Sequence, residues 1–253
     1  MKPKVLIMSG YGINCEHETA YAFEMIGGDA EVVHINDLIS KKKKMSDYQI
    51  MVFPGGFSYG DDTGAGNAYA NKIRNNLWKE LMEFVDSGKL ILGICNGFQI
   101  ISELGLFSDE GKKINALLPN TNNRYTCVWV NLKHNNSKCV FTKDINELYL
   151  PIAHGEGRFY CDSATLEKLK MNNQIVFTYD ENPNGSLADV AGVCDKTGRI
   201  MGMMPHPERS LYTFSQPDFH LKKEIAKRKG EKLPEINESC LKIFKNAVEF
   251  FKK

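Results

Sequence analysis

Short apolar runs that end in glycine or in polar turns alternate with segments whose apolar positions recur three or four residues apart. Residues 5–8 are the first such run and stop at Ser9-Gly10-Tyr11-Gly12. Ala20, Phe23 and Ile26 then repeat at helical spacing up to Gly27-Gly28, and residues 30–35 resume an extended apolar pattern, which predicts a βαβ unit. Residues 50–53 predict the next buried strand. It runs into Pro54-Gly55-Gly56-Phe57-Ser58-Tyr59-Gly60-Asp61-Asp62, a loop rich enough in glycine to expose backbone N–H groups to an anionic group. Ile73, Leu77, Leu81 and Phe84 form one stripe and predict a long helix that closes at Gly88. Residues 90–94 predict a central strand, followed by a sharp turn and a helix that runs to Ser102.

Beyond Leu106 the period changes. Residues 125–132 alternate and are rich in β-branched side chains, residues 175–179 form another strand, and Asn182-Pro183-Asn184-Gly185-Ser186 is a strong turn signal. Residues 166–171 predict a short helical piece between them. Two further strands, 190–194 and 200–204, flank a turn, and the second leads into Pro205-His206-Pro207-Glu208-Arg209. Residues 214–238 are polar and poorly periodic and predict an excursion or lid; Leu241, Phe244, Val248 and Phe251 then predict an amphipathic terminal helix. With no repeat and no linker, the expectation is a single α/β domain over residues 1–253. Its sheet should be open, mostly parallel and flavodoxin-like, with helices on both faces and a smaller antiparallel strand layer in the second half. Ligands of such sheets bind outside the carboxyl ends of the strands, where the Gly55 loop, Cys95 and His206 all fall.

Composition narrows the function classes. The chain has 253 residues, 42% of them hydrophobic and 25% charged, and a net charge of +1, so neither nucleic acid nor a membrane surface is expected as a partner. The lysines at 41–44 read as a solvated loop. Seven scattered cysteines with no C-x-x-C pair fit reduced thiols in a cytoplasmic protein, with no metal site expected. No apolar stretch reaches the length of a signal peptide core or a membrane span. The glycines of SGYGINCE do not complete a dinucleotide fingerprint, because Cys15 stands where the third glycine belongs.

The chemistry concentrates in LILGICNGFQIIS. Gly93 and Gly97 flank Cys95 as glycines flank the serine of a nucleophile elbow, where a tight reversal pushes the reactive side chain out of the sheet. The helix that begins after the turn aims its unpaired N–H groups and positive dipole end at the sulfur, which favours the thiolate. Its first N–H, that of Asn96, is a natural oxyanion donor. A cysteine nucleophile also needs a base, and the base needs an orienting group. Pro207 keeps His206 extended, so Glu208 projects beside the imidazole and can accept its second N–H. His154, in HGEGR, is the rival base; its only evident orienter is Glu156, and its loop is better assigned to substrate binding. Gln99, four residues after Cys95, can turn its amide toward the pocket.

GICNGFQI, PGGFSYGD, PIAHGEGRF, NPNGS and MGMMPHPER together resemble the class I glutamine amidotransferases over about residues 5 to 209. The two strings PIAHGEGRF and GMMPHPER are narrower. They are similar to one branch, the glutaminase subunits of the purine-biosynthetic enzyme that amidates formylglycinamide ribonucleotide. The resemblance implies a Cys95, His206 and Glu208 triad that hydrolyses glutamine to glutamate and ammonia through a thioester. It also implies Gly56 as a second oxyanion donor beside Asn96, with Gln99 and His154, Gly155, Glu156 and Gly157 holding glutamine. The partners it implies are a large synthetase subunit and a small third subunit. ATP and magnesium would belong to the synthetase, and this chain would carry no cofactor. Two other readings compete: a cysteine-elbow protein acting on reactive carbonyls or sensing redox state, and a non-catalytic interaction module. The first shares the elbow but not a His-Pro-Glu after the last strand. Against the second stand Cys95, Gln99, His206 and Glu208, all present together.

Overall fold

The computed structural model describes residues 2–108 and 111–252. Its first half alternates strand and helix: β1 (Lys4–Ser9), α1 (Glu16–Met25), β2 (Asp29–His34), α2 (Ile35–Ile39), β3 (Ile50–Phe53), α3 (Asn67–Asn76), α4 (Trp78–Asp86), β4 (Leu90–Ile94) and α5 (Asn96–Glu103). The second half is strand-rich: β5 (Ala116–Leu118), β6 (Thr126–His134), β7 (Glu147–His154), β8 (Arg158–Tyr160), α6 (Ser163–Met171), β9 (Ile175–Tyr179), β10 (Val190–Cys194) and β11 (Ile200–Met203). The chain ends in α7 (Phe219–Arg228) and α8 (Glu238–Phe250).

Nine strands form one sheet in the order β2-β1-β3-β4-β11-β10-β9-β6-β7, and β5 pairs with β8 apart from it. The pairings from β2 through β11 are parallel, and those from β11 through β7 are antiparallel. The antiparallel strands thus mostly lengthen the main sheet, and the separate small layer is the β5–β8 pair alone. In β3 and β4 every residue is buried, as expected of parallel strands covered on both faces. Helices α1 and α8 pack against each other on the sheet, with the rings of Phe23 and Phe244 edge to face, and α3 packs on α5.

The stripe at Ile73, Leu77, Leu81 and Phe84 is buried throughout, but it does not lie on one helix. Leu77 takes a non-helical φ of −134° and both ends α3 and begins α4. The kink follows a polar run, Arg74 to Asn76, and re-aims the second segment so that the apolar face stays on the core. Residues 214–238 do leave the sheet. They carry the solvent-facing α7, on which Leu221 and Ile225 are exposed, before the chain returns as α8.

Candidate active site

Register brings the two motifs to one edge. Gly202 pairs with Gly93 and Met203 with Ile94, so the chain leaves β4 and β11 side by side, and Cys95 N–H donates to the Met203 carbonyl at 2.8 Å. Cys95 has φ 51° and ψ −108°, a conformation that costs of order 1–3 kcal/mol in a non-glycine residue. The reversal is as tight as the sequence predicts, since a Cβ on Gly97 would lie 1.8 Å from the Phe53 carbonyl oxygen. Helix α5 therefore sits directly on β3, and its N-terminus opens on the sulfur. Cys95 is almost wholly buried, and its Sγ lies 3.8 Å from the Ala153 carbonyl.

His206 and Glu208 are buried together, with Nδ1 of the imidazole 2.6 Å from Oε1 of the carboxylate. The backbone N–H of His206 donates to the Pro151 carbonyl at 2.9 Å, which fixes the segment against β7. With Nδ1–H given to the carboxylate, Nε2 carries the lone pair, and it has no hydrogen-bond partner in the protein. Burial opposes charging this imidazole, but Glu208, then the Cys95 and Cys15 sulfurs, outweigh it and hold its pKa well above the ordinary histidine value.

Behind the elbow runs a chain of amide contacts. Asn96 accepts the Ser58 N–H at 3.1 Å and donates to Gln99 Oε1 at 2.8 Å. Gln99 Nε2 donates to the Glu156 carbonyl at 2.6 Å, and Glu156 Oε2 accepts the Ala65 N–H at 3.1 Å. Both ends of the Gln99 amide are thereby engaged. The residue braces the glycine-rich loop, the elbow helix and the HGEG loop together rather than offering a free group. Gly56 lies against the opposite wall, where a Cβ would be 2.5 Å from the Gly12 carbonyl oxygen.

His154 is oriented differently from the sequence expectation. Its Nδ1 faces Asn120 Oδ1 at 3.1 Å, not Glu156. Asn120 Nδ2 points at the carbonyls of Arg124 and His154, so Oδ1 must be the acceptor, and it also takes the Gly157 N–H. Burial, then the nearby His206, pull His154 down to about 4, leaving a neutral ring over which Gly157 packs; a Cβ there would be 2.2 Å from Cε1. Gly155 opens on free space. His154 therefore organises its loop.

Several residues join the site without a sequence signal. Cys15 is buried beside His206, and Arg209 Nη2 donates to its Sγ at 2.9 Å. Asp61, at φ 57°, is pushed up to about 6 by burial and then by Glu156. Phe57 and Tyr125 stand exposed at the mouth with ring centroids 6.1 Å apart. Cys15, His206 and Glu208 bring one metal-ligating atom each within 4.8 Å of one another. A cation there would have to displace the Arg209 guanidinium from the Cys15 sulfur.

Residues 2–251 match the CobB/CobQ-like glutamine amidotransferase domain. A phosphoribosylformylglycinamidine synthase subunit PurQ from Methanococcus maripaludis is 63% identical over 99% of this chain and 98% of its own length. The same subunit from Dehalococcoides mccartyi is 42% identical, covering 98% of each. Among solved structures, a chain in the structure of PurLQS from Thermotoga maritima superposes with a TM-score of 0.77 at 30% identity, covering 100% of both chains. The chain thus belongs to the CobB/CobQ-like glutamine amidotransferases, in the branch of the PurQ subunits of phosphoribosylformylglycinamidine synthase.

Proposed function

We propose that this chain is the glutaminase subunit of phosphoribosylformylglycinamidine synthase and that it works through Cys95, His206 and Glu208. The observation that carries the reading is the buried His206–Glu208 pair, 2.6 Å apart, at the end of the strand next to a strained elbow cysteine. In this reading His206 Nε2 takes the Cys95 proton, and the thiolate attacks the side-chain carbonyl of glutamine. The N–H groups of Gly56 and Asn96 bind the oxyanion; Asn96 is first in its helix and has no intrahelical acceptor for its N–H. The imidazolium returns its proton to the leaving ammonia. Water, activated by the same imidazole, then cleaves the thioester to glutamate. Glu208 holds the imidazole through Nδ1 and steadies the imidazolium.

His154, Gly155, Glu156 and Gly157, tied to the elbow through Gln99, form the wall for the glutamine backbone. The ammonia passes to the large synthetase subunit, and a small third subunit completes the assembly; the Thermotoga maritima neighbour was solved as PurLQS. ATP and magnesium act in the synthetase and no metal acts here. No helix among the described residues is long and apolar enough to cross a membrane. All seven cysteines are free, which supports a cytoplasmic location.

The test is a glutaminase assay of the chain with and without its synthetase and small subunit, with mass detection of a glutamyl adduct. Turnover that rises on assembly with the adduct on Cys95 supports the reading. An adduct elsewhere, or no glutamine hydrolysis by the complex, contradicts it.

A further inference from the structure

Cys15 lies in the wall of the site, far from the triad in sequence. Its backbone is pinned on both sides. The N–H groups of Asn14 and Cys15 both donate to the Gly55 carbonyl at 3.1 Å, and the Cys15 carbonyl receives the Thr19 N–H at 3.1 Å and the Thr19 hydroxyl at 2.7 Å. The sulfur is therefore held in place, and it is 1% exposed. It donates to Asn14 Oδ1 at 3.3 Å and accepts from Arg209 Nη2 at 2.9 Å. Gly55 reports how close the sulfur and the imidazole stand. A Cβ there would be 2.7 Å from His206 Cε1 and 3.2 Å from Cys15 Sγ, so one small gap is bounded by both groups.

We propose that Cys15 is a positioning residue for His206: its sulfur, anchored by Arg209, fills the space beside the imidazole and separates the base from the guanidinium charge. The inference rests on the glutaminase reading above. A guanidinium bare against the ring would oppose the imidazolium that forms when Cys95 gives up its proton. A polarisable sulfur between the two accepts the guanidinium N–H and faces the ring with electron density. The other groups that act on His206 are Glu208 on its own segment, Cys95 at the head of α5, and the neighbouring His154 and Tyr125, while the Arg209 guanidinium is held on the Cys15 sulfur. The Cys15 sulfur is among those that raise the imidazole pKa. Its loss must then let the imidazolium deprotonate at lower pH. The active ion pair contains that imidazolium, so the alkaline limb of the pH profile reports it.

The experiment compares wild type, Cys15→Ala, Cys15→Ser and Cys95→Ala in the assembled enzyme, following glutamine hydrolysis against pH. The rate of Cys95 alkylation against pH is measured in parallel. Cys15→Ala should lower kcat about tenfold, leave KM for glutamine within about twofold, and move the alkaline limb to lower pH in both measurements. Cys15→Ser, whose hydroxyl still accepts from Arg209, should recover most of kcat and the limb. Arg209→Gln removes the opposing charge and should move the limb the other way. A wild-type kcat and limb in Cys15→Ala overturns the proposal, as does an equal loss in the alanine and serine variants with an unshifted profile. Should Cys15→Ala not fold, Arg209→Gln decides: a limb that stays or falls overturns the proposal. Cys95→Ala separates the two readings, because glutamine hydrolysis that survives it breaks the triad assignment itself.

Discussion

Cys95 sits in a left-handed backbone conformation at the head of a helix, with a histidine on its far side whose other nitrogen is bound to a buried carboxylate. It alone among the seven cysteines combines these features, so a glutamine-analogue electrophile should label Cys95 first, read by peptide mass spectrometry. Labelling led by Cys15 or Cys161 would break the elbow argument; burial already pushes the Cys161 thiol up to about 11. Glu208→Gln keeps the shape but gives His206 a neutral partner. Turnover should fall by about 10²- to 10⁴-fold with little change in the melting curve. A variant that loses its fold with no separate catalytic defect would make Glu208 structural. The sequence exposes these residues because elbow and His-Pro-Glu geometry are local: two flanking glycines and a proline state them within a few positions. Cys15 against Arg209 and Asn120 against His154 are contacts across 194 and 34 residues, which no spacing rule reaches.

At the scale of elements, the elbow helix and the glycine-rich loop are held by contact distances rather than by propensity. Gly97→Ala must push α5 away from the Phe53 carbonyl, and a loss of about 3 kcal/mol or more is expected in denaturant unfolding. Wild-type stability in that variant would contradict the packing described. The loop holds Asp61 half-buried near Glu156, which raises its carboxyl from an ordinary 3.8 to about 6. Below 3.8 both folded and unfolded states are protonated. Between 3.8 and 6 only the folded state keeps the proton, so stability falls as pH rises through that window. Full burial would make this about 3 kcal/mol, and partial exposure reduces it to about 1. Asp61→Asn should therefore unfold about 1 kcal/mol later than wild type at pH 8, with the gain fading by pH 4. A gain independent of pH would contradict this origin. His154 has the opposite sign, its lowered pKa costing stability as pH falls from 6.5 toward 4, but it is common to both proteins and cancels. The strands and most helices were legible because apolar period and turn chemistry agree along the chain. The break at Leu77 was not, because its apolar stripe is unbroken and only the backbone departs from the helix.

For the whole molecule, strand order explains why distant motifs share one edge. The chain runs from β4 to β11 through the strand-rich second half, yet these two strands are neighbours, so residues 95 and 206 meet. The parallel half was readable from its βαβ pattern, but the joining of β10, β9, β6 and β7 to the same sheet was not, since alternation gives a strand without naming its partner. In the proposed reading the ammonia made at this edge is used in the synthetase subunit, and the Thermotoga maritima neighbour was solved in such an assembly, PurLQS. Hydrolysis by the lone chain would waste glutamine. Slow turnover before assembly follows if the loop at 55–62 reaches its working position only when the synthetase docks.

The central claim is tested most directly by Cys95→Ala in the assembled enzyme, with synthesis measured once with glutamine and once with ammonium salt. The substitution removes the nucleophile and leaves the synthetase untouched, so glutamine-dependent synthesis should vanish while ammonium-dependent synthesis stays at the wild-type rate. Loss of both activities in a complex that still assembles, or persistence of the glutamine-dependent one, would contradict the account.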